Sequence, residues 1–261
     1  MKSFCFTTDD NILFLKDISE RKYDSVFRNP YLAFFKSLHE KYGLKVQMNL
    51  FFGNGDFTLE QVSDRYGNEF SENSDWLIFA FHADKEYPAH PYRFADYSKV
   101  FGDCSAVNRE ICRFAGAPCL SDTPTVHYCT ASEEGIRALR DCGVRGLFGL
   151  FGQNPPSGYS LAPDKAALVS AGISQIQDGI TYFNIDLILD RLDITRIPAR
   201  LEELSQRDFV SVMIHEQYFY PEYRRYQPDY REKAEVAVKY LKEKGFSSVF
   251  ALEKIVSAFQ A

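Results

Sequence analysis

Short apolar runs alternate along the chain with longer stretches of helical periodicity. An apolar run bounded by Gly, Asp, Asn or His is typical of a buried strand, and i, i+3, i+4 apolar spacing is typical of an amphipathic helix. The runs predict seven or eight strands, over residues 4–8, 45–52, 76–82, 123–128, 144–151, 181–188, 209–215 and 247–252. The intervening stretches predict helices over residues 29–42, 59–73, 97–115, 132–142, 198–207 and 230–245.

The order of these elements predicts the fold class. Gly43, Gly143 and Gly245 each end a predicted helix, and a predicted strand follows each of them. Repeating strand–helix units without a Gly-rich phosphate turn favour an α/β fold that closes into a distorted, TIM-like (β/α) barrel of seven or eight strands. Residues 152–178 interrupt the alternation of predicted strands and helices, and we interpret them as an extra hairpin or a loop over the barrel mouth.

Composition narrows the class of protein. The 261 residues fit one barrel domain over residues 1–261, and 45% apolar and 25% charged residues are typical of a folded globular chain. A net charge of −6 without a Lys/Arg-rich block argues against nucleic acid as a partner. No run reaches the ~20 apolar residues of a membrane helix, and the first apolar stretch is too short for a signal peptide. We therefore expect a cytoplasmic protein without a membrane partner.

Polar residues with catalytic chemistry stand at the ends of several predicted strands. Asp9 and Asp10 end the first strand, and His82, His127 and His215 end three others. The carboxyl ends of barrel strands carry the loops that build active sites, so these side chains are expected to meet in one place. Carboxylates and imidazoles together form metal sites and acid–base pairs, although Asp-Asp-Asn also suits a turn or a helix cap.

Two of these strand ends carry motifs of a known family. Residues 7–11, Thr-Thr-Asp-Asp-Asn, resemble the Thr-Phe-Asp-Asp-Gly motif of the polysaccharide deacetylases with a NodB-type homology domain, the family 4 carbohydrate esterases. Residues 213–215, Met-Ile-His, resemble the Leu-x-His motif of that family. The resemblance spans most of the chain, and it implies that Asp9 is a general base, Asp10 a metal ligand and His215 a general acid.

The family's metal-binding motif, His-Ser/Thr-x-x-His, is present in altered form. It reads His82-Ala-Asp-Lys-Glu86 here, so the resemblance implies that His82 and Glu86 join Asp10 as ligands. The expected divalent ion is zinc, and because this set is harder and more anionic than one Asp with two His, manganese, iron and magnesium are alternatives. His90 and His127 are alternatives to Glu86 as the residue that completes the site.

The remaining candidates concern the substrate. The family's Arg-x-Pro-Tyr motif is replaced by residues 125–128, Thr-Val-His-Tyr, which lack an arginine. His127 is therefore expected either to bind substrate or to take a metal position. Tyr128, Glu216 and Tyr218 lie beside predicted strand ends, and we expect them to contact substrate.

The resemblance implies a metal-dependent hydrolase that removes an N-acetyl or related acyl group from a carbohydrate or small amide. The expected partner is thus a small-molecule or oligosaccharide substrate; the sequence does not predict an oligomeric state. Two other functions stay open. One is a catalytically silent barrel that binds a saccharide or a protein partner. The other is a glycoside hydrolase that uses paired carboxylates among Asp9, Glu86 and Glu216.

Overall fold

Strands and helices alternate through residues 2–152 and 158–259, which the computed structural model describes. The strands are β1 Ser3–Asn11, β2 Val46–Phe51, β3 Gly53–Asn54, β4 Phe57–Thr58, β5 Leu77–Ala83, β6 Gly146–Gly149, β7 Gln175–Gln177, β8 Ile180–Asn184, β9 Leu187–Ile188, β10 Phe209–His215 and β11 Ser247–Ser248. The α-helices are α1 Leu13–Arg21, α2 Pro30–Tyr42, α3 Gly67–Glu72, α4 Tyr97–Phe114, α5 Glu133–Asp141, α6 Pro163–Ser170, α7 Ile197–Leu204, α8 Tyr230–Glu243 and α9 Ala251–Phe259.

A parallel sheet in the order β5-β2-β1-β10-β9 forms one side of the molecule, with β11 paired to the start of β1. Its strands β1, β2 and β5 are buried almost throughout, as expected for parallel strands with helices on one face and a packed interior on the other. The carboxyl ends of β1, β5 and β10 consequently lie at the same end of the sheet.

Backbone hydrogen bonds join this sheet to a second one, in the order β6-β8-β7. The amide of Ser121 donates to a carbonyl of β5, and the amide of Arg145 donates to Asp122, both at 2.8 Å. On the other side, the amide of Asp186 donates to a carbonyl of β10 at 3.2 Å. The protein is thus a distorted (β/α) barrel. In order around its wall, the strands and segments are β1, β2, β5, the segment 120–125, β6, β8 with β9, and β10.

Two predicted strands differ from the structure. Residues 123–128 form no strand ladder, because Pro124 lacks an amide donor and Tyr128 and Cys129 have φ values of 61° and 52°. In residues 247–252 only the first two pair with β1, and α9 then begins. The structure also has a helix that the sequence analysis missed, α1, directly after β1.

The other elements follow the prediction more closely. Of the predicted helix 59–73 only α3 is α-helical, and two short 3₁₀ turns precede it. Within 152–178, α6 leads to β7, which pairs antiparallel with β8 as the predicted hairpin, while residues 153–157 lie outside the described residues. In the part of the chain that the structure describes, every helix is too short or too polar to cross a membrane.

Candidate metal centre

The end of β1 carries two adjacent carboxylates that line one cavity, together with the catalytic candidates of other strands. Asp9 stands in register with His215 on β10. Asp10 has a φ of 60°, and the register between β1 and β2 shifts between Thr8 and Asn11. Successive residues of a regular strand point to opposite faces, so this bulge is what allows both carboxylates to face the cavity.

Asp10, His82 and His127 bring three metal-ligand atoms together. Asp10 Oδ1 lies 2.9 Å from His82 Nε2 and 3.3 Å from His127 Nδ1, and the two ring nitrogens are 3.0 Å apart. Ligands of a tetrahedral zinc ion are about 3.3 Å from one another, given metal–ligand distances of about 2.0–2.1 Å. The three atoms therefore form a triangle that fits a metal ion after a small outward adjustment.

The outer nitrogen of each imidazole is bound to the backbone. His82 Nδ1 lies 2.5 Å from the carbonyl oxygen of Thr125, and His127 Nε2 lies 3.1 Å from that of Glu86. Only a protonated nitrogen can donate to a carbonyl, so these contacts leave the inward nitrogen of each ring facing Asp10, where it can bind a metal once it has lost its proton. Metal-binding histidines in proteins are commonly oriented in this way. The donor set fits a divalent metal.

His127, rather than Glu86, lies beside Asp10 and His82. Glu86 contributes its backbone carbonyl, and its carboxylate lies outside the group of mutually close ligand atoms. A spacing of four residues brings two side chains to one site on a helix, whereas residues 84–87 are not helical. His90 is exposed, and its ring lies 4.3 Å from that of Tyr128.

The charges favour an ionised Asp10. Burial raises the pKa of Asp10, but hydrogen bonds with His127 and His82 outweigh it and hold the pKa well below its ordinary value. Burial lowers the pKa of His82, but the hydrogen bond to Asp10 and the charge of Asp9 outweigh it and raise that pKa. Gln217 Nε2 also donates to Asp10 Oδ2 at 2.7 Å. A carboxylate held ionised in this way is ready to bind a cation.

Asp9 has the environment of a proton acceptor. It is 2% exposed, and its Oδ1 accepts a hydrogen bond of 2.7 Å from Asn49 Nδ2. Burial raises the pKa of Asp9, and the nearby charges of His82 and His215 counter only part of that effect. A carboxylate with a raised pKa is a stronger base, so Asp9 is suited to take a proton from water.

His215 has the environment of a proton donor because of Asp190. Asp190 Oδ1 accepts from both His215 Nδ1, at 2.9 Å, and the His215 amide, at 3.0 Å. Burial lowers the pKa of His215, but the charge and hydrogen bond of Asp190, together with the charges of Asp10 and Asp9, outweigh it and raise that pKa to about 9. The ring is therefore protonated at neutral pH.

Three residues of this site were not predicted from the sequence: Asn49, Asp190 and Gln217. Asn49 lies two residues after Gln47 on β2, and such a polar i, i+2 pair in a buried strand signals a polar barrel interior. Asp190 comes two residues after the predicted strand 181–188, so the strand-end rule would have found it. Nothing in the sequence distinguishes Gln217.

The structure does not support a substrate-binding role for Glu216. Its side chain is fully buried and does not line the cavity. Its carboxylate accepts hydrogen bonds from the amides of Ile12, Leu13 and Phe14, at 2.7, 2.9 and 2.6 Å, and from the Tyr220 hydroxyl. Burial raises the pKa of Glu216 to about 7, although the three amides lower it in part. Glu216 instead caps the first turn of α1, whose amides have no partners within the helix.

Tyr128 and Tyr218 line the cavity, which has a volume of about 570 Å³. Tyr128 is 44% exposed and its ring lies 4.4 Å from that of His127, while the Tyr218 ring lies 6.0 Å from that of His215. A cavity of this size is typical of small-molecule sites. Both rings thus line the same cavity as the metal-ligand group.

Comparisons with known proteins identify the fold. No family model matches the chain, and no curated protein matches it. The solved structures that match include peptidoglycan deacetylase PdaC from Bacillus subtilis, with 12% identity over 100% of this chain and 94% of that chain, at a TM-score of 0.51. A family 4 acetyl xylan esterase from Clostridium thermocellum, in complex with a cobalt ion, has 13% identity over 97% of this chain and 89% of that one, at 0.51.

A 4-alpha-glucanotransferase from Thermococcus litoralis also matches, with a TM-score of 0.60 and 14% identity over 98% of this chain. This chain spans only 40% of the glucanotransferase but most of the two deacetylase-type chains. At these identities the matches describe the fold alone. The chain therefore has the fold of the family 4 polysaccharide deacetylases, as the resemblance in its motifs predicts.

Proposed function

We propose that this protein is a metal-dependent hydrolase that removes an acyl group from the nitrogen of an N-acylated carbohydrate. The observation that carries the proposal is the Asp10–His82–His127 ligand triangle in the same cavity as Asp9 and His215. One group suited to accept a proton and one suited to donate a proton thus line the cavity that contains a metal-competent group. Metal-dependent hydrolysis of an amide uses these three functions together.

The ligand set that we propose is Asp10, His82 and His127, with His127 in the place that the sequence analysis gave to Glu86. One carboxylate with two imidazoles favours zinc, with manganese or iron as alternatives. A divalent ion held there would supply Lewis acidity toward a water molecule and toward the acyl carbonyl. The esterase from Clostridium thermocellum, which has a similar fold, was solved in complex with a cobalt ion, and this supports a divalent metal ion in the present site.

Two residues of the protein then carry out the proton transfers. Asp9 takes a proton from the attacking water as the water oxygen bonds to the acyl carbon. His215 gives its proton to the amide nitrogen as the carbon–nitrogen bond breaks, and Asp190 holds the ring in place for that transfer. The products are a carboxylic acid and a free amino sugar. Tyr128 and Tyr218 border the path of the sugar, and we expect them to contact its ring faces.

The two other functions fare differently. The glycoside hydrolase hypothesis loses one of its carboxylates, because Glu216 lies outside the cavity and caps α1. A catalytically silent barrel would keep the cavity without needing the metal triangle or the protonated His215. The experiment that separates it from a deacetylase is an activity assay with defined metal content.

The assay follows the release of free amines from N-acetylated mono- and oligosaccharides by wild-type protein that is stripped of metal and reloaded with zinc, cobalt or manganese. Asp9→Asn and His215→Gln are expected to lower kcat by at least about 100-fold, in line with the usual contribution of a general acid or base. Glu86→Gln is the matched control, since it changes a cavity carboxylate outside the triangle. Metal-independent activity, or equal loss in the control, would overturn the proposal.

A further inference from the structure

Four arginine side chains surround the entrance of the catalytic cavity: Arg93, Arg191, Arg224 and Arg225, called here the mouth arginines. They are exposed, and they come from three separate segments, after β5, after β9 and after β10. No lysine lines the described part of the cavity. The entrance is therefore rich in guanidinium groups in a chain whose net charge is −6.

These arginines differ from most others in the chain because, within the described residues, their side chains form neither an ion pair nor a hydrogen bond. Of the sixteen arginines, nine form ion pairs, and Arg65 and Arg231 donate hydrogen bonds to carbonyl oxygens. Within the described residues, the remaining five side chains make neither kind of contact. They are the mouth arginines and Arg196, which lies outside the cavity.

The carboxylates of the cavity do not neutralise the mouth arginines. Asp9, Asp10 and Asp190 are hydrogen-bonded to Asn49, to histidines or to Gln217 within the site. Glu86, the fourth carboxylate of the lining, is not in an ion pair with any of the mouth arginines in the described structure. The entrance thus presents positive charge to an incoming molecule, while Asp9, Asp10 and Asp190 lie among the catalytic groups.

We propose that the substrate is an anionic N-acylated sugar, one that carries a phosphate or carboxylate group which the mouth arginines bind. The inference rests on the proposed function and names the class of its substrate. Guanidinium groups form paired hydrogen bonds with phosphate and carboxylate oxygens, and several of them around one entrance also attract anions from solution. A neutral sugar would leave all four guanidinium groups without a counter-charge.

The test measures binding and deacetylation separately with three probes. They are N-acetylglucosamine, which is neutral, N-acetylglucosamine 1-phosphate, and N-acetylmuramic acid, which carries a carboxylate. Dissociation constants come from calorimetry, and deacetylation rates from amine release. The double variant Arg224→Ala/Arg225→Ala is compared with wild type, and Arg196→Ala is the matched control because it removes an exposed, unpaired arginine outside the cavity.

We expect at least one anionic probe to bind about tenfold more tightly than the neutral sugar, and the double variant to lose that advantage. The preference between phosphate and carboxylate identifies the anion. If the neutral sugar binds and reacts as well as both anions, in wild type and double variant alike, the inference is overturned while the proposed function stands. If an anionic sugar binds through Arg224 and Arg225 but keeps its acyl group, the arginine site stands and the deacetylase proposal fails.

Discussion

Replacing Asp190 by asparagine should remove the proton that His215 holds at neutral pH. Asp190, together with the charges of Asp10 and Asp9, raises the pKa of His215 to about 9, against an ordinary value of 6.5. That difference corresponds to about 3 kcal/mol in favour of the protonated ring. Asparagine keeps the shape of the side chain but not its charge, whereas the burial of the ring, which lowers its pKa, remains. The pKa of His215 should therefore fall toward its ordinary value, while the charges of Asp10 and Asp9, which also raise it, remain in the variant.

The consequences for catalysis follow from the two pKa values. At pH 7.5 a ring with a pKa of about 9 is about 97% protonated, and one with a pKa of about 6.5 is about 9% protonated. If His215 is the general acid, kcat/KM of Asp190→Asn at pH 7.5 should fall by up to about tenfold and should recover toward pH 6.

The same pair affects stability with a defined sign. Since the folded-state pKa of His215 is raised, its contribution to the free energy of unfolding is fully present below pH 6.5 and is lost as pH rises through about 9. Asp190→Asn should thus cost up to about 3 kcal/mol at pH 6 and much less at pH 10.

The direct assay is an NMR titration of the histidine rings, with His215→Gln to assign the resonance and the exposed Asp193→Asn as the control. It needs no knowledge of the substrate. A wild-type His215 that titrates near 6.5, or one that still titrates near 9 in Asp190→Asn, would refute the reasoning.

Three further predictions concern the cap of α1 and the metal-ligand triangle. Glu216→Ala should lower the free energy of unfolding in urea by about 3 kcal/mol, because it leaves three buried amides without an acceptor, while the exposed Glu222→Ala should change it by less than about 0.5 kcal/mol. Zinc at about 100 times its dissociation constant should stabilise the metal-free protein by about 2.7 kcal/mol in a thermal melt, and His82→Ala should show no such gain. Because the pKa of His82 is raised, protons compete with the metal, so zinc affinity measured by calorimetry should rise with pH across the neutral range; a flat profile would contradict this.

The fold was predictable from sequence where the pattern is regular. β1, β5 and β10 are apolar runs that end in Asp or His, and the strand-end rule placed their polar residues at one end of the barrel. The segment 120–125 of the barrel wall was harder to predict, because its position depends on hydrogen bonds to β5 and to the start of β6 rather than on its own sequence. α1 was missed because Asp9 and Asp10 resemble the beginning of a loop.

The site was predictable in its residue types but not in its pairing. The family motif pointed to Glu86 by spacing, yet the chain after β5 is not helical, so the fourth residue along does not return to the site. His127 lies just after the irregular segment 120–125, and it contacts Asp10 although the two residues are far apart in the chain. Glu216 was expected to contact substrate because it follows a predicted strand end, but it is buried beside the start of α1 and caps that helix instead.

Elemental analysis of the purified protein tests the ligand triangle most directly. Wild type is compared with His127→Ala, His82→Ala and Glu86→Ala after identical purification and loading with zinc. Asp10, His82 and His127 as ligands predict about one equivalent of metal in wild type and in Glu86→Ala, and its loss from both histidine variants. Metal that stays in His127→Ala but is lost from Glu86→Ala would contradict the triangle and return Glu86 to the ligand set.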